Sequence, residues 1–222
     1  MLRGRRRLPV LAQVSGPPEG ARAWSLRRAD FDALEQALPQ VAAQRVVLVC
    51  GERDAAPVAA IALAAAASAS GRRTILVECD LAQPRLAAHV GLAAAPGLHE
   101  YLRWEAEPAD VLQPVVLGGP AASDDGDPLA CVCAGRPATK AETLLGLQSF
   151  AHMIEKLRGG YELVVLSSPP LLEEPGSLLT AARQADAVVV AAPASTAGDR
   201  TLAKAIKRLP LPAVGTIAVK GT

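Results

Sequence analysis

The chain has 222 residues, 45 of them alanine, with half of all positions hydrophobic and 3% aromatic, a composition that can bury a full core and need not be disordered. Four cysteines at this length exclude a disulfide scaffold, and a net charge of +1 gives no global field that favours nucleic acid. The charge is unevenly placed: residues 1–28 hold seven arginines and one glutamate (7 − 1 = +6), and residues 29–222 hold 16 basic and 21 acidic side chains (16 − 21 = −5).

In chain order, residues 1–20 read as a basic linker or head, with four arginines between Arg3 and Arg7, then Gly16-Pro17-Pro18 and Gly20. Met1–Arg7 carries charge without the apolar run of a secretory signal, so the expected location is cytoplasmic. Residues 21–222 read as a single domain. The apolar run Arg45–Cys50 predicts a strand buried on both faces. Ala55–Ser70 follows as an alanine-rich helix with Pro57 in its first turn and Gly71 at its end. It is shorter and less hydrophobic than the ~20 residues a spanning helix needs. Thr74–Cys79, Tyr161–Leu166, Ala187–Ala192 and Ala213–Val219 are further strands, and Pro114–Leu117 and Leu129–Cys133 are weaker ones. Helices are predicted over Lys140–Leu157, Gly176–Gln184 and Gly198–Arg208, with a polar loop over Gly118–Pro128. Alternation of this kind predicts an α/β fold: a doubly wound, mostly parallel sheet of about seven strands with helices on both faces.

Ligands of such sheets bind at the carboxyl ends of the strands. After the first strand, Gly51-Glu52-Arg53-Asp54 stands where a phosphate loop would lie, but the motif G-x-x-x-x-G-K-[ST] is absent. No Lys or Arg lies between Arg53 and Arg72, and Glu52 and Asp54 put negative charge at the presumed phosphate position. Taken alone, a plain strand–helix turn is the better reading. After the second strand, Glu78-Cys79-Asp80 and Arg85 admit two readings. Asp80 either caps a short helix near Pro84, which the residue types favour, or holds a metal ion or its water, with Arg85 near a phosphate or a partner's carboxylate. After the third strand, Ser167 stands where a magnesium-dependent nucleoside triphosphatase would carry Asp.

Taken in order, these pieces resemble the cytoplasmic domain of bacterial tyrosine kinases of capsule and exopolysaccharide synthesis, relatives of the ParA and septum-site ATPases. That family shows D-x-D-L-R-x-P-R-L, G-L-x-x-x-L, A-G-x-x-x-x-x-P-x-E-L-L and Y-D-x-V-I-I-D-S-P-P. Here the matching stretches are Glu78–Leu86, Gly97–Leu102, Ala134–Leu145 and Tyr161–Pro170. The similarity runs from about Leu8 to Thr222. The resemblance implies a P-loop fold and a nucleotide-binding set made of Gly51, Arg53, Asp80, Arg85 and Ser167, with Asp80 as the metal ligand if Mg is bound. It also implies a ring-assembly motif, E-x-x-R-x-x-R, matched only by Glu19 and Arg22, with Arg27 and Arg28 close by.

The departures carry as much weight. The phosphate-loop lysine is absent, the loop is shortened, the third-strand aspartate is Ser167, and the first acid of the D-x-D pair is Glu78. Phosphoryl transfer rests on positioned charge, each such donor being worth roughly 3–4 kcal/mol, and these groups act as one unit. The expectation is therefore a pseudo-ATPase that works through protein contacts in polysaccharide polymerisation or export, with no cofactor. The alternative is an atypical ATPase or tyrosine autokinase that binds ATP or ADP with Mg through Asp80 and a replacement cation. A third reading is a ParA-like positioning protein. Expected partners are a membrane-bound polysaccharide chain-length adaptor or a related kinase, with homo-oligomers as a further option and no nucleic acid. The N-terminal arginines suit either weak contact with anionic lipid at the inner membrane face or a solvated head. The four cysteines read as core residues, the three histidines form no metal set, and Trp24 and Phe31 are placed on one face of an amphipathic helix.

Overall fold

The computed structural model describes residues 8–16, 24–41, 43–52, 54–115, 117–118, 128–197 and 200–221. Ten strands and nine helices occur among them, in the order β1 (Val10–Ser15), β2 (Trp24–Ser25), α1 (Arg28–Val41), β3 (Val46–Gly51), α2 (Ala55–Ala69), β4 (Thr74–Glu78), α3 (Leu86–Val90), α4 (Leu98–Leu102), α5 (Pro108–Val111), β5 (Gln113–Val115), β6 (Leu117–Gly118), β7 (Leu129–Val132), α6 (Ala141–Leu145), α7 (Gln148–Gly160), β8 (Leu163–Ser167), α8 (Pro175–Ala182), β9 (Ala187–Pro193), α9 (Arg200–Ile206) and β10 (Ala213–Lys220). Eight strands form one sheet in the order β1-β10-β9-β3-β8-β4-β7-β5, and β2 pairs with β6 in a separate two-stranded ribbon. Every pair in the large sheet is parallel except β5 with β7.

The central strands are buried on both faces, as their unbroken apolar runs predict. On β3, Val47 and Val49 face one core layer and Val46, Leu48 and Cys50 face the other. The first layer is roofed by α1, α2 and α3, the second by α4 and α6 to α9, which makes the sheet doubly wound. Helix α2 is buried from Ala55 through Ala67. Its alanines let a helix lie close against the sheet while α1 covers its back. That burial explains a run of high hydropathy that belongs to a core. Among the described residues no helix is long and apolar enough to cross a membrane.

Four local expectations are corrected. Within the stretch read as linker, Val10–Ser15 form the parallel edge strand β1, held by Gly16 N–H to the Lys220 carbonyl at 3.2 Å. Ala12 and Val14 are buried and Gln13 is exposed, a period-2 alternation that the flanking prolines and glycines obscured. Trp24 belongs to β2 and Phe31 to α1, so the two do not share a helix. The helix expected over Lys140–Leu157 is two helices, with Gly146 ending α6 and Leu147 starting α7. Pro114–Leu117 divides between β5 and β6. The polar loop expected over Gly118–Pro128 lies outside the described residues from 119 to 127.

Candidate functional site

The parallel register sets the ends of three strands side by side, Val49 beside Ser167 and Ser167 beside Glu78. Gly51, Ser167 and Asp80 thus reach the carboxyl edge of the sheet, as the sequence implied. What surrounds them differs from a phosphate cradle. Three residues, 52–54, separate β3 from α2. The N–H groups of Ala55 and Ala56 both donate to the Glu52 carbonyl, at 3.1 and 3.0 Å. The helix start, which in a phosphate loop points free donors at the ligand, is closed on its own chain.

Gly51 serves the strands. A Cβ there would lie 1.7 Å from the Ala191 carbonyl oxygen, so β3 and β9 approach closely only because the residue is glycine. The Thr196 hydroxyl donates to Glu52 Oε1 at 2.8 Å. Beside this turn is a cleft of about 470 Å³ whose lining includes Glu52, Asp54 and Glu173 against the apolar Pro170, Leu172 and Leu202.

Glu78 is 2% exposed. Its carboxylate accepts the N–H groups of Arg85 at 2.6 Å, Leu86 at 2.7 Å and Ala134 at 2.9 Å. Burial pushes its pKa up, those three amides oppose the rise, and the Asp80 charge adds to it. The side chain therefore ties the start of α3 and the end of β7 to β4. Asp80 is buried, and its Oδ1 accepts the Gln83 N–H at 3.0 Å, which closes the turn into α3. The Arg85 guanidinium is paired with the Asp54 carboxylate. Ser167 is buried, and its carbonyl accepts the Cys79 N–H at 2.8 Å.

Of the remaining predicted residues, Arg53, Glu19 and Arg22 lie outside the described residues. Arg27 bonds Asp30 through Nε at 3.2 Å and also reaches the Ser15 hydroxyl. Buried Asp30 takes the Ser15 N–H at 3.0 Å as well, so this group fastens α1 to the edge strand. Arg28 pairs with Asp32 at 3.0 Å and stands 5.9 Å above the Phe31 ring.

The sequence reading singled out Gly97–Leu102 and Ala134–Leu145 only as motifs, and the structure interlocks them. Leu98 and His99 N–H donate to the Cys133 and Ala134 carbonyls, each at 2.8 Å. Glu100 accepts Gly97 N–H at 2.8 Å and Arg136 Nε at 2.7 Å. Gly135 has φ +88°, and a Cβ there would lie 2.1 Å from Glu100 Oε2. Burial raises the Glu100 pKa, but Arg136 and the surrounding amides outweigh it and hold the carboxyl below its usual range. The glycine–acid–glycine pattern was the available signal. All four cysteines are free and buried, and among the described residues no three His, Cys, Asp or Glu side chains converge to hold a metal ion.

This doubly wound α/β architecture is similar in fold to bacterial tyrosine kinase domains and to septum-site ATPases. Among solved structures, the chimerical protein CapA2B2 superposes with a TM-score of 0.78 at 15% identity, over 97% of this chain and 95% of the other. The BceF tyrosine kinase domain gives 0.74 at 20% identity over 96% and 93%. The septum site-determining protein MinD of Pyrococcus horikoshii, solved with Mg-ADP, gives 0.60 at 16% over 78% and 69%. At these identities the likeness is one of fold. No family model and no curated protein sequence matches the chain.

Proposed function

We propose that this chain is a tyrosine-kinase-like protein that has lost phosphoryl transfer and acts through protein contacts, regulating polysaccharide polymerisation or export beside a membrane-bound chain-length adaptor or a related kinase. The observation that carries the reading is the β3–α2 turn, where the Ala55 and Ala56 amides are both taken by the Glu52 carbonyl. Mg-nucleotide fits this site poorly. The cleft is lined by Glu52, Asp54 and Glu173, which repel a polyphosphate. Glu78 is committed to three backbone amides, and Ser167 brings no charge to the place of the metal-associated aspartate. A site that has lost these groups together keeps little of the catalysis they supply as a unit. The tests are calorimetric titration of ATP and ADP, with and without Mg²⁺, and a thermal-shift series. No heat and no shift at millimolar nucleotide is the expected result. Magnesium-dependent micromolar binding that disappears in Asp80→Ala would overturn the proposal and restore the atypical-ATPase reading.

A further inference from the structure

The Arg85–Asp54 pair joins two strand-end loops, 31 residues apart in sequence, and Asp54 is the member of the pair that lines the cleft. Asp54 stands at the N-cap position of α2, yet its side chain caps nothing, and its backbone is already in the right-handed helical region at φ −90°, ψ −20°. The usual task of an aspartate at a helix start is therefore not what this carboxylate does. It is 65% exposed and turned onto a guanidinium that is 37% exposed. Arg85 is firmly based, because its own N–H and that of Leu86 are held by the buried Glu78 carboxylate. The second acid of the turn, Glu52, accepts from the neutral Thr196 hydroxyl, so Asp54 is the turn carboxylate that answers the cation.

We propose that Asp54 is a built-in anion: its carboxylate occupies Arg85 in place of a phosphate-class anion and so keeps a latent anion site shut at the edge of the cleft. Carboxylates and phosphates compete for the same planar fork of guanidinium donors. The competitor here is tethered, so it acts at an effective concentration set by the fold and not by the solution. The place is also right, since Asp54 lines the cleft at the carboxyl end of β3, where folds of this type receive ligands. An exposed pair of this kind is individually weak, so removing one charge frees Arg85 without unfolding the chain. The proposal rests on the reading of the unmodified cleft as one that does not take nucleotide.

The test is a titration of inorganic pyrophosphate, followed by phosphorus NMR, into the full chain and into Asp54→Asn. The double variant Asp54→Asn/Arg85→Ala is the control. Loss of one unit charge at ion-pair distance should tighten pyrophosphate binding by roughly tenfold or more in Asp54→Asn. The double variant should fall back to the level of the unaltered chain. Circular dichroism and a melting curve check the fold of each variant, and Asp54→Ser provides a second neutral replacement. No gain in either neutral variant overturns the proposal, as does a gain that survives the loss of Arg85. A parallel titration of Mg-ATP into the unaltered chain separates the two readings: binding there sinks the proposed function, whereas silence there combined with no gain in Asp54→Asn sinks only the built-in anion.

Discussion

Replacing Gly51 with alanine tests whether this glycine is a strand contact or the relic of a phosphate loop. The new Cβ would meet Ala191 at 1.7 Å from its oxygen, 2.7 Å from its carbonyl carbon and 3.1 Å from its Cα. All three atoms are backbone, so no flexible side chain can yield, and the ends of β3 and β9 must part. Parting them strains the rung that pairs Gly51 with Ala191 and the Glu52 N–H bond to the Ala191 carbonyl at 3.3 Å. Overpacking a tight interior costs about 1–3 kcal/mol and one lost hydrogen bond about 1 kcal/mol, so roughly 3 kcal/mol is expected. For a chain of this length that lowers the melting temperature by about 6–12 °C. Urea unfolding followed by circular dichroism reads the loss directly. Gly159→Ala is the opposing control. Nothing lies within 4 Å of its added Cβ in the last turns of α7, so this change should be neutral or raise stability by up to about 1 kcal/mol. A Gly51→Ala protein as stable as the unaltered chain would refute the close-approach argument.

Two buried carboxylates should give opposite pH slopes. The folded pKa of Glu78 is raised, so its contribution to stability is full below the unfolded value and is lost as pH rises through the folded one; the margin of the unaltered chain over Glu78→Gln should shrink with rising pH. The folded pKa of Glu100 is lowered, so its contribution is present above the unfolded value and is lost as pH falls through the folded one; the margin over Glu100→Gln should grow with rising pH. Urea midpoints measured across the acid range check both signs, and parallel slopes would contradict the assignment. The four thiols should resist a disulfide reagent in the native protein and all react in guanidinium, because each is buried and burial pushes Cys50 up to about 12 and Cys79 higher still. A thiol that reacts at once under native conditions would show that one of these positions is open.

Local pattern alone made the frame of this protein legible. Runs such as Val46–Cys50 and Ala187–Ala192 are apolar without alternation because both faces of a parallel sheet are covered, and the alanine density of 55–69 can serve only a helix pressed against that sheet. The missing lysine and the serine at 167 were equally plain, since a residue type needs no partner to be read. Tertiary structure decided everything that depends on who meets whom. The strand at Val10–Ser15 exists because Lys220 and Asp30, the latter 15 residues beyond Ser15 and the former near the other end of the sequence, supply its partners. Glu78 reads in the sequence only as a replacement for the first acid of a D-x-D pair, and folding brings it the Ala134 amide, 56 residues away. Arg85 called for an anion in the sequence, and the fold supplied Asp54. Hydrophobic periodicity is a short-range signal written into neighbouring residues, whereas the pairing of a buried or charged group is set by crossovers that bring distant loops to one edge of the sheet.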